Sequence, residues 1–200
     1  MKKKSYNGLL GINNKPSAIA ALTDLPSAMP DDMFRWNISE LLGYFDYYIS
    51  SDEVTKYLTW PTHSNIDVSK SVLGNWADSY SDKKYYQWAI VLKANGGEPV
   101  GSISVVKMDE DVSMVQIGYC IGRPWWKKGI TSEAMKMVMD FFFDKVKVNR
   151  IESRHDPRNP NSGKVMIKCG MKYEGTLRSS GRNNQGICDV CYYSLLKSER

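Results

Sequence analysis

The stretch Gly118-Tyr-Cys-Ile-Gly-Arg-Pro-Trp-Trp-Lys-Lys-Gly-Ile-Thr-Ser-Glu-Ala134 decides the fold of this chain. It has the pattern of a strand that ends, a short basic loop that contains a glycine, and a helix that begins. The first N–H groups of a helix have no partner within it and the helix dipole adds positive character, so this order favours an anion site. Gly129 permits close approach of the backbone, and Lys127 and Lys128 add charge suited to phosphate.

The loop matches neither of the two common nucleotide-binding motifs. The Gly-x-x-x-x-Gly-Lys-Ser/Thr spacing is absent, and no second and third glycines fall in the dinucleotide register. On these residues alone, an anion site and a plain turn followed by a helix start are equally good interpretations.

Periodicity on both sides of this junction predicts an α/β chain built on a mixed sheet. The three strand-like runs before the junction are separated by turn sequences and indicate an antiparallel meander. The strand-like runs cover 86–93, 100–107, 113–121, 150–155, 172–180 and 187–197. The helical runs begin at Asn37 and at residues 67, 132 and 162, and the last three end near 80, 147 and 169. A turn is expected over 181–186.

The composition is that of one soluble domain preceded by an arm. The chain has 200 residues, 42% of them hydrophobic, which is too short for several domains and too apolar for a disordered polymer. Residues 1–31 contain prolines and no sustained periodicity, so we expect an irregular arm there and a single domain over 32–200.

The charge and the apolar runs bound the classes of partner. A net charge of +5 mildly favours an anionic ligand but is too small to indicate nucleic acid. No apolar run reaches the length that crosses a membrane, and Met1-Lys2-Lys3-Lys4 is not followed by the apolar stretch of a signal peptide. We therefore expect a cytoplasmic protein without nucleic-acid or membrane partners.

The four cysteines predict neither a disulfide framework nor a metal site. Cys188 and Cys191 have a tempting spacing, but they lie in a strand-like run, where residues three apart point to opposite faces. We expect no metal cofactor.

Further motifs follow the loop in a recognisable order. They are Trp126-Lys-Lys-Gly-Ile-Thr-Ser-Glu-Ala134, Asn159-Pro-Asn-Ser162, Lys168-Cys-Gly-Met171, Tyr173-Glu-Gly-Thr-Leu-Arg178 and Asp189-Val-Cys-Tyr-Tyr-Ser-Leu-Leu196, preceded by Val54-Thr-Lys-Tyr-Leu-Thr-Trp60. Over roughly residues 52–197 the chain resembles the Gcn5-related N-acetyltransferases, and within them the branch similar to bacterial ribosomal-protein N-terminal acetyltransferases.

The resemblance implies a GNAT-like mixed, mostly antiparallel central sheet flanked by helices, with a splayed strand pair that receives the cofactor. It implies acetyl-CoA as cosubstrate, a primary amine as acceptor, and a monomer or homodimer. The cofactor-binding residues that it implies are Cys120, Ile121, Trp126, Lys127, Lys128, Gly129, Ile130, Thr131, Ser132, Asn159 and Ser162.

The resemblance also assigns catalytic roles to Ser162 and Tyr119. Ser162 would lie near the thioester sulfur, where its hydroxyl can protonate the leaving thiolate; it is also a plausible helix N-cap. Direct attack of the amine is expected, with a backbone N–H of residues 118–121 polarising the carbonyl. A covalent route through Cys120 is the less favoured alternative.

The general base is where the chain departs from its relatives. Many of them carry a carboxylate two residues before the Gly-Tyr pair, and this chain has Gln116 there. Solvent through a water chain, Tyr119, Asp52 and Glu53 remain open as proton acceptors. The missing base also motivates an alternative function, an acetyl-CoA-binding module of the same fold with little or no turnover.

Overall fold

A computed structural model describes residues 18–20, 49–82, 84–92 and 99–200. The helix predicted from Asn37 and most of the predicted arm over 1–31 lie outside the described residues. The division of the chain into an arm and a single domain over 32–200 stays a prediction.

A seven-stranded mixed sheet forms the centre of the structure, in the order β1-β2-β3-β4-β5-β7-β6. The strands are β1 Ala18–Ala20, β2 Gln87–Leu92, β3 Pro99–Asp109, β4 Met114–Ile121, β5 Arg150–His155, β6 Lys172–Asn183 and β7 Gly186–Leu196. Only β4 and β5 pair in parallel; each other neighbouring pair is antiparallel. The predicted meander is β2-β3-β4, and the expected mostly antiparallel sheet is confirmed.

Helices cover both faces of this sheet. They are α1 Asp52–Thr55, α2 Ile66–Ser79, α3 Ile130–Phe141 and α4 Pro160–Lys168. A π-helical segment, Phe142–Val146, continues α3, and short 3-10 helices cover Arg123–Trp125 and Lys197–Glu199. Among the described residues, none of the helices has the length and apolar character needed to cross a membrane.

Several elements differ from the sequence prediction at their ends; α3, for example, begins at Ile130 rather than at residue 132. α4 begins at Pro160 rather than at Ser162, because proline is suited to the first helical position, where its missing N–H costs nothing. The expected six-residue turn over 181–186 is shorter, since β6 continues to Asn183 and pairs there with Gly186.

The strand β4 separates two hydrophobic cores because its side chains alternate between the faces. Val115 and Ile117 point into the larger core, which contains the buried side chains of α3 and α4 such as Met135 and Met166. Cys120 points to the opposite face, where it packs with buried Ile49 and Leu73.

The two parallel strands separate near their midpoints. Their register ends at the pair Gln116–Glu152, although β4 continues to Ile121 and β5 to His155. At the branching point, Ser153 Oγ donates a hydrogen bond to the carbonyl of Ile117 at 2.8 Å, in place of a backbone partner. This is the expected splayed strand pair, and its opening is called the split below.

Candidate active site

The unpaired half of β4 turns backbone hydrogen-bonding groups into the split. Gly122 donates to Val100 of β3 at 2.9 Å, and alternate residues of a strand direct their backbone groups to the same side. Gly122 and Cys120 therefore face β3, while Tyr119 and Ile121 face the split. Trp126 Nε1 donates to the Ile121 carbonyl at 2.8 Å, so the Trp126 side chain anchors the following loop to the end of β4.

Cys120 is positioned as a core residue. Its backbone lies in register with Ser102 of β3, and its side chain is buried against Ile49 and Leu73. Burial raises the pKa of the Cys120 thiol to about 12, so the thiol is protonated at neutral pH and is a poor nucleophile.

The loop from Trp126 to Gly129 delivers the N-terminus of α3 to the end of the split. Gly129 has φ +83° and is the N-cap, and Lys127 also has a left-handed φ of +61°. The first helical bond runs from the Glu133 N–H to the Gly129 carbonyl at 3.0 Å. The N–H groups of residues 130–132 consequently have no acceptor within the helix, which an anion site at this loop would require.

The side chains of this first helical turn point away from the loop. Ile130, Thr131 and Ser132 are buried, whereas Lys127 and Lys128 are exposed. The N–H groups of residues 130–132, which lack a partner within the helix, and the ammonium groups of the two lysines are therefore the candidate anion-binding groups of this loop.

A third lysine that sequence reasoning missed lies beside this loop. Lys168, at the end of α4, places its Nζ 3.3 Å from the position that a Cβ on Gly129 would occupy. The adjacent Cys169 Sγ donates to the Ser132 carbonyl at 3.3 Å and holds α4 against α3. An ammonium at the positive end of a helix is stabilised by an anion between them, so Lys168 strengthens the phosphate assignment. The sequence contains the motif that begins with Lys168, but it does not show that Lys168 lies near Gly129.

The N-terminus of α4 forms the other side of the split. Asn159 is the N-cap residue, and its side chain makes no cap hydrogen bond. Ser162 is two residues inside the helix, with its N–H bonded to the Asn159 carbonyl at 3.1 Å. The interpretation of Ser162 as the N-cap is therefore wrong, because the helix starts at Pro160.

Tyr119 and Ser162 meet across the split. The Tyr119 hydroxyl donates to the Ser162 carbonyl at 2.8 Å and lies 3.1 Å from Ser162 Oγ. Burial is the main cause that raises the pKa of Tyr119 above its usual value of 10.0. A tyrosine that holds its proton this strongly is a hydrogen-bond donor at neutral pH, which argues against Tyr119 as the general base.

His155 supports the first turn of α4 from below. Its Nδ1 donates to the Asp156 carbonyl at 2.8 Å, and its ring lies 5.6 Å from the ring of Tyr193, centroid to centroid. The ring packs so closely on Gly163 that a Cβ there would lie 2.5 Å from His155 Nε2. Gly163 follows Ser162 directly, so this contact sets the height of the Ser162 turn above the sheet.

The segment after α1 contacts the tip of the β6–β7 hairpin, and we call this contact the α1–hairpin seam. Asn184 Nδ2 donates to the carbonyls of Thr55 at 2.9 Å and Trp60 at 2.8 Å, and the Asn184 N–H donates to Leu58 at 3.1 Å. The resemblance implies an acceptor groove built from about residues 44–76 and 181–186, and the seam joins these two regions.

A buried carboxylate connects the seam to β5. Asp156 accepts bonds from the Arg158 guanidinium, the shortest at 2.6 Å, and from Asn183 Nδ2 at 2.8 Å. The bonds from Arg158 are the main reason that the pKa of Asp156 falls to about 2. The Arg158 guanidinium in turn lies 5.9 Å from the centre of the Tyr57 ring.

The two acidic residues of α1 have partners. Asp52 accepts a bond from Thr62 Oγ1 at 2.6 Å, and Glu53 forms an ion pair with Arg123 at 2.9 Å. Arg123 lies two residues beyond the end of β4, so the Glu53–Arg123 pair links α1 to the loop beyond the split.

A polar network lies at the closed end of the split, on the face opposite α3. Arg150 donates from Nε to Glu152 at 2.7 Å and forms a bidentate pair with Glu174 at 2.9 and 2.7 Å. Ser194 Oγ is also hydrogen-bonded to Glu174. Gln116 Nε2 lies 3.4 Å from Glu152 Oε2. In the part of the chain that the structure describes, no group of three or more His, Cys, Asp or Glu side chains has an arrangement that could hold a metal ion.

Comparison with known proteins agrees with this geometry. The model of the Acetyltransferase (GNAT) domain matches residues 34–172. An uncharacterized N-acetyltransferase p20 of Bacillus licheniformis is 30% identical over 152 residues, which cover 76% of this chain and 85% of that protein. The ribosomal-protein-serine acetyltransferase of Escherichia coli is 25% identical over 141 residues, 70% of this chain and 76% of that protein.

A solved structure shows the same fold. The microcin C7 self-immunity acetyltransferase MccE, in complex with acetyl-CoA and AMP, superposes with a TM-score of 0.70 at 22% identity. The match covers 78% of this chain and 87% of that one. The family match thus covers most of the described residues, and it agrees with the strand order, the split and the helix that begins at the end of the split. The chain belongs to the GNAT acetyltransferase family.

Proposed function

We propose that this protein transfers the acetyl group of acetyl-CoA to a primary amine, either a protein N-terminal α-amine or the amine of a small molecule, by direct attack. The observation that carries the proposal is the path from the Tyr119–Ser162 pair, along the split, to the N-terminus of α3. Along this path lie first the two hydroxyl groups, then backbone groups of β4 that do not pair with β5, then the N–H groups that begin α3.

The split suits the pantetheine arm of the coenzyme. An extended amide-containing chain pairs with the open edge of a strand through main-chain hydrogen bonds, and Tyr119 and Ile121 present backbone groups in that direction. Asn159 adds a side-chain amide that its own helix does not use as a cap. Amide groups of the arm would therefore be bonded from both sides of the split.

The pyrophosphate would lie at the loop from Trp126 to Gly129. Three N–H groups of the first turn of α3 converge there, and Lys127, Lys128 and Lys168 contribute positive charge.

The Tyr119–Ser162 pair supports protonation of the leaving group. The neutral amine attacks the thioester carbon, the C–N bond forms, and the C–S bond breaks to leave a thiolate. Ser162 Oγ can give the thiolate its proton and regain one from the new amide nitrogen, while the Tyr119 hydroxyl orients Ser162. The buried Cys120 thiol, with its raised pKa, disfavours a covalent intermediate.

Two classes of acceptor fit the relatives. One relative's name refers to a ribosomal protein, and the structural neighbour was solved in complex with acetyl-CoA and AMP.

The cytoplasmic location, the absence of nucleic-acid and membrane partners, and the monomeric or homodimeric state stay predictions from the sequence.

Acetyl-CoA binding and turnover are measured separately to test the proposal. Acetyl-CoA at 100 times its Kd is expected to stabilise the native state by about 2.7 kcal/mol, seen as a rise in Tm. Release of free CoA is then followed with N-terminal peptides, polyamines, amino sugars and aminoglycosides as acceptors. Ser162→Ala is expected to lower kcat and leave the Kd of acetyl-CoA within about threefold, with loss of about 10²-fold for a proton donor.

The alternative of a binding module makes a different prediction for the same assays. It requires the rise in Tm without release of CoA above the hydrolytic background for every acceptor. If acetyl-CoA at millimolar concentration leaves Tm unchanged, both the enzyme and the binding module are excluded.

A further inference from the structure

The structure contains a carboxylate beside the position at which this chain lacks one. Gln116 replaces the acidic residue that many relatives carry on β4, but its register partner across the parallel pair is Glu152 of β5. The two side chains lie on the same face of the sheet, and Gln116 Nε2 is 3.4 Å from Glu152 Oε2. A negative charge is therefore present at the closed end of the split, contributed by the neighbouring strand.

Two other carboxylates near the split have no free oxygen. Both oxygens of Glu174 are bonded to Arg150, and both oxygens of Asp156 are bonded to Arg158. Glu53 and Asp52 of α1 are exposed to solvent, and each uses one oxygen, for Arg123 and for Thr62. Glu152 uses Oε1 for Arg150 Nε, and within the described residues the only hydrogen-bonding partner of its Oε2 is the Gln116 amide, at 3.4 Å.

Burial also favours Glu152. Gln116 is only 4% exposed, whereas the Glu152 side chain keeps 18% of its surface accessible. Strand geometry puts Gly118, at the start of the unpaired half of β4, about 7 Å along the same face from Gln116. That separation suits a bridging water between the acceptor amine and the carboxylate.

We propose that Glu152 is the proton acceptor for the amine, acting through a bridging water, and that Gln116 is a positioning residue that turns Oε2 toward the split. The proposal rests on the proposed acetyltransferase function. The ammonium loses one proton through the water to Glu152, which passes it to bulk solvent. The second proton leaves the nitrogen after attack and ends on the thiolate through Ser162, so that one proton is released for each amide formed.

Glu152 lies among charged and titratable groups on this face of the sheet. Those that face it from the described strands β3, β5, β6 and β7 are Lys107, Arg150, Arg154, Lys172, Glu174 and Tyr192. The bonds from Arg150 and Ser194 hold the pKa of Glu174 below its usual value of 4.5, so Glu174 is ionised earlier than an ordinary glutamate.

The test compares Glu152→Gln with Glu174→Gln, since both remove a partner of Arg150 and only the first removes the proposed base. Glu152→Gln is expected to lower kcat by about 10²-fold and to leave KM for acetyl-CoA within about threefold. Glu174→Gln is expected to keep both kcat and KM. The double variant Gln116→Glu/Glu152→Gln returns the carboxylate to β4 and is expected to recover at least tenfold of the lost kcat.

Three results would overturn the role of Glu152 while leaving the proposed function intact. The first is a Glu152→Gln variant as active as the wild-type protein, and the second is a loss of kcat in Glu174→Gln equal to that in Glu152→Gln. The third is a double variant with a kcat no higher than that of Glu152→Gln. A rise in Tm with acetyl-CoA confirms in each variant that the coenzyme site is folded. If the wild-type protein releases no CoA with any acceptor, the proposed function fails and this role fails with it.

Discussion

Replacing Gly163 by alanine should destabilise the protein, although alanine is the better helix former. In an open helix position, Gly→Ala is worth about 1 kcal/mol in favour of alanine. At Gly163 the new Cβ would lie 2.5, 3.0 and 3.3 Å from Nε2, Cε1 and Cδ2 of His155. The ring is held by its bond to the Asp156 carbonyl and by Tyr193, so it cannot swing aside without losing those contacts.

The size of the effect follows from these opposing terms. Overpacking in a filled site costs about 1–3 kcal/mol, and loss of the His155 hydrogen bond costs about 1 kcal/mol more. After the helix propensity is subtracted, we expect a loss of about 1–3 kcal/mol, or roughly 2–12 °C in Tm for a chain of this length. Because Ser162 precedes Gly163, kcat should also fall.

Gly74→Ala in α2 is the matched control for this experiment. A Cβ at Gly74 meets nothing within 4 Å, so the same substitution there should stabilise the protein by about 0.5–1 kcal/mol. Urea unfolding followed by circular dichroism measures both variants. The reasoning is refuted if Gly163→Ala is as stable as Gly74→Ala, or if His155→Ala does not reduce the cost of Gly163→Ala in the double variant.

Three further predictions concern the coenzyme loop, the buried carboxylate and the β4 cysteine. Gly129→Ala places a Cβ on a residue with left-handed φ and crowds Lys168, so it should weaken acetyl-CoA binding about tenfold in calorimetry. Gly170→Ala is the control: Gly170 has φ +84° in open space, so this variant should lose about as much stability as Gly129→Ala without losing affinity for acetyl-CoA. The pKa of Asp156 is about 2 in the folded protein and 3.8 ordinarily, so the ionised carboxylate stabilises the folded state by about 2 kcal/mol. This stabilisation is fully present at pH values above the ordinary pKa, and it is lost as the pH falls through the folded pKa. Asp156→Asn should accordingly flatten the decline of unfolding free energy on acidification from pH ~5 to ~2.5, and an unchanged slope would contradict this assignment. Cys120→Ala should keep kcat within about threefold, and an acetylated Cys120 trapped by acid quench and found by mass spectrometry would refute the direct route.

The parts of the site that are local in the chain were predictable. The residues from Gly118 to Ala134 are enough to predict the strand–loop–helix junction, since glycine, basic residues and a helical run follow a strand within a few residues. The splayed pair came from the family resemblance, and the structure has it; the coenzyme-binding role of the loop came from the same resemblance and stays a prediction. The helix α4 begins two residues before Ser162, because the preference of proline for the first helical position outweighs the capping ability of serine.

The contacts between distant segments were not predictable. Lys168 reaches Gly129 only because α4 packs against the start of α3, which no periodicity encodes. Glu152 meets Gln116 through a parallel pairing whose register depends on how α3 crosses the sheet. The hydroxyl pair of Tyr119 and Ser162 likewise depends on the approach of two elements that are separated by 43 positions.

The α1–hairpin seam has a consequence for how the protein is made. Asn184 reaches back 129 and 124 positions to the carbonyls of Thr55 and Trp60, so these bonds join the first described helix to the last hairpin. Contacts of such long sequence separation form late in folding. The ribosome completes every residue assigned to the coenzyme before it reaches Asn184. A chain released early from translation would therefore lack the polar tether that positions the proposed acceptor groove, even where its coenzyme-binding residues had all been synthesised.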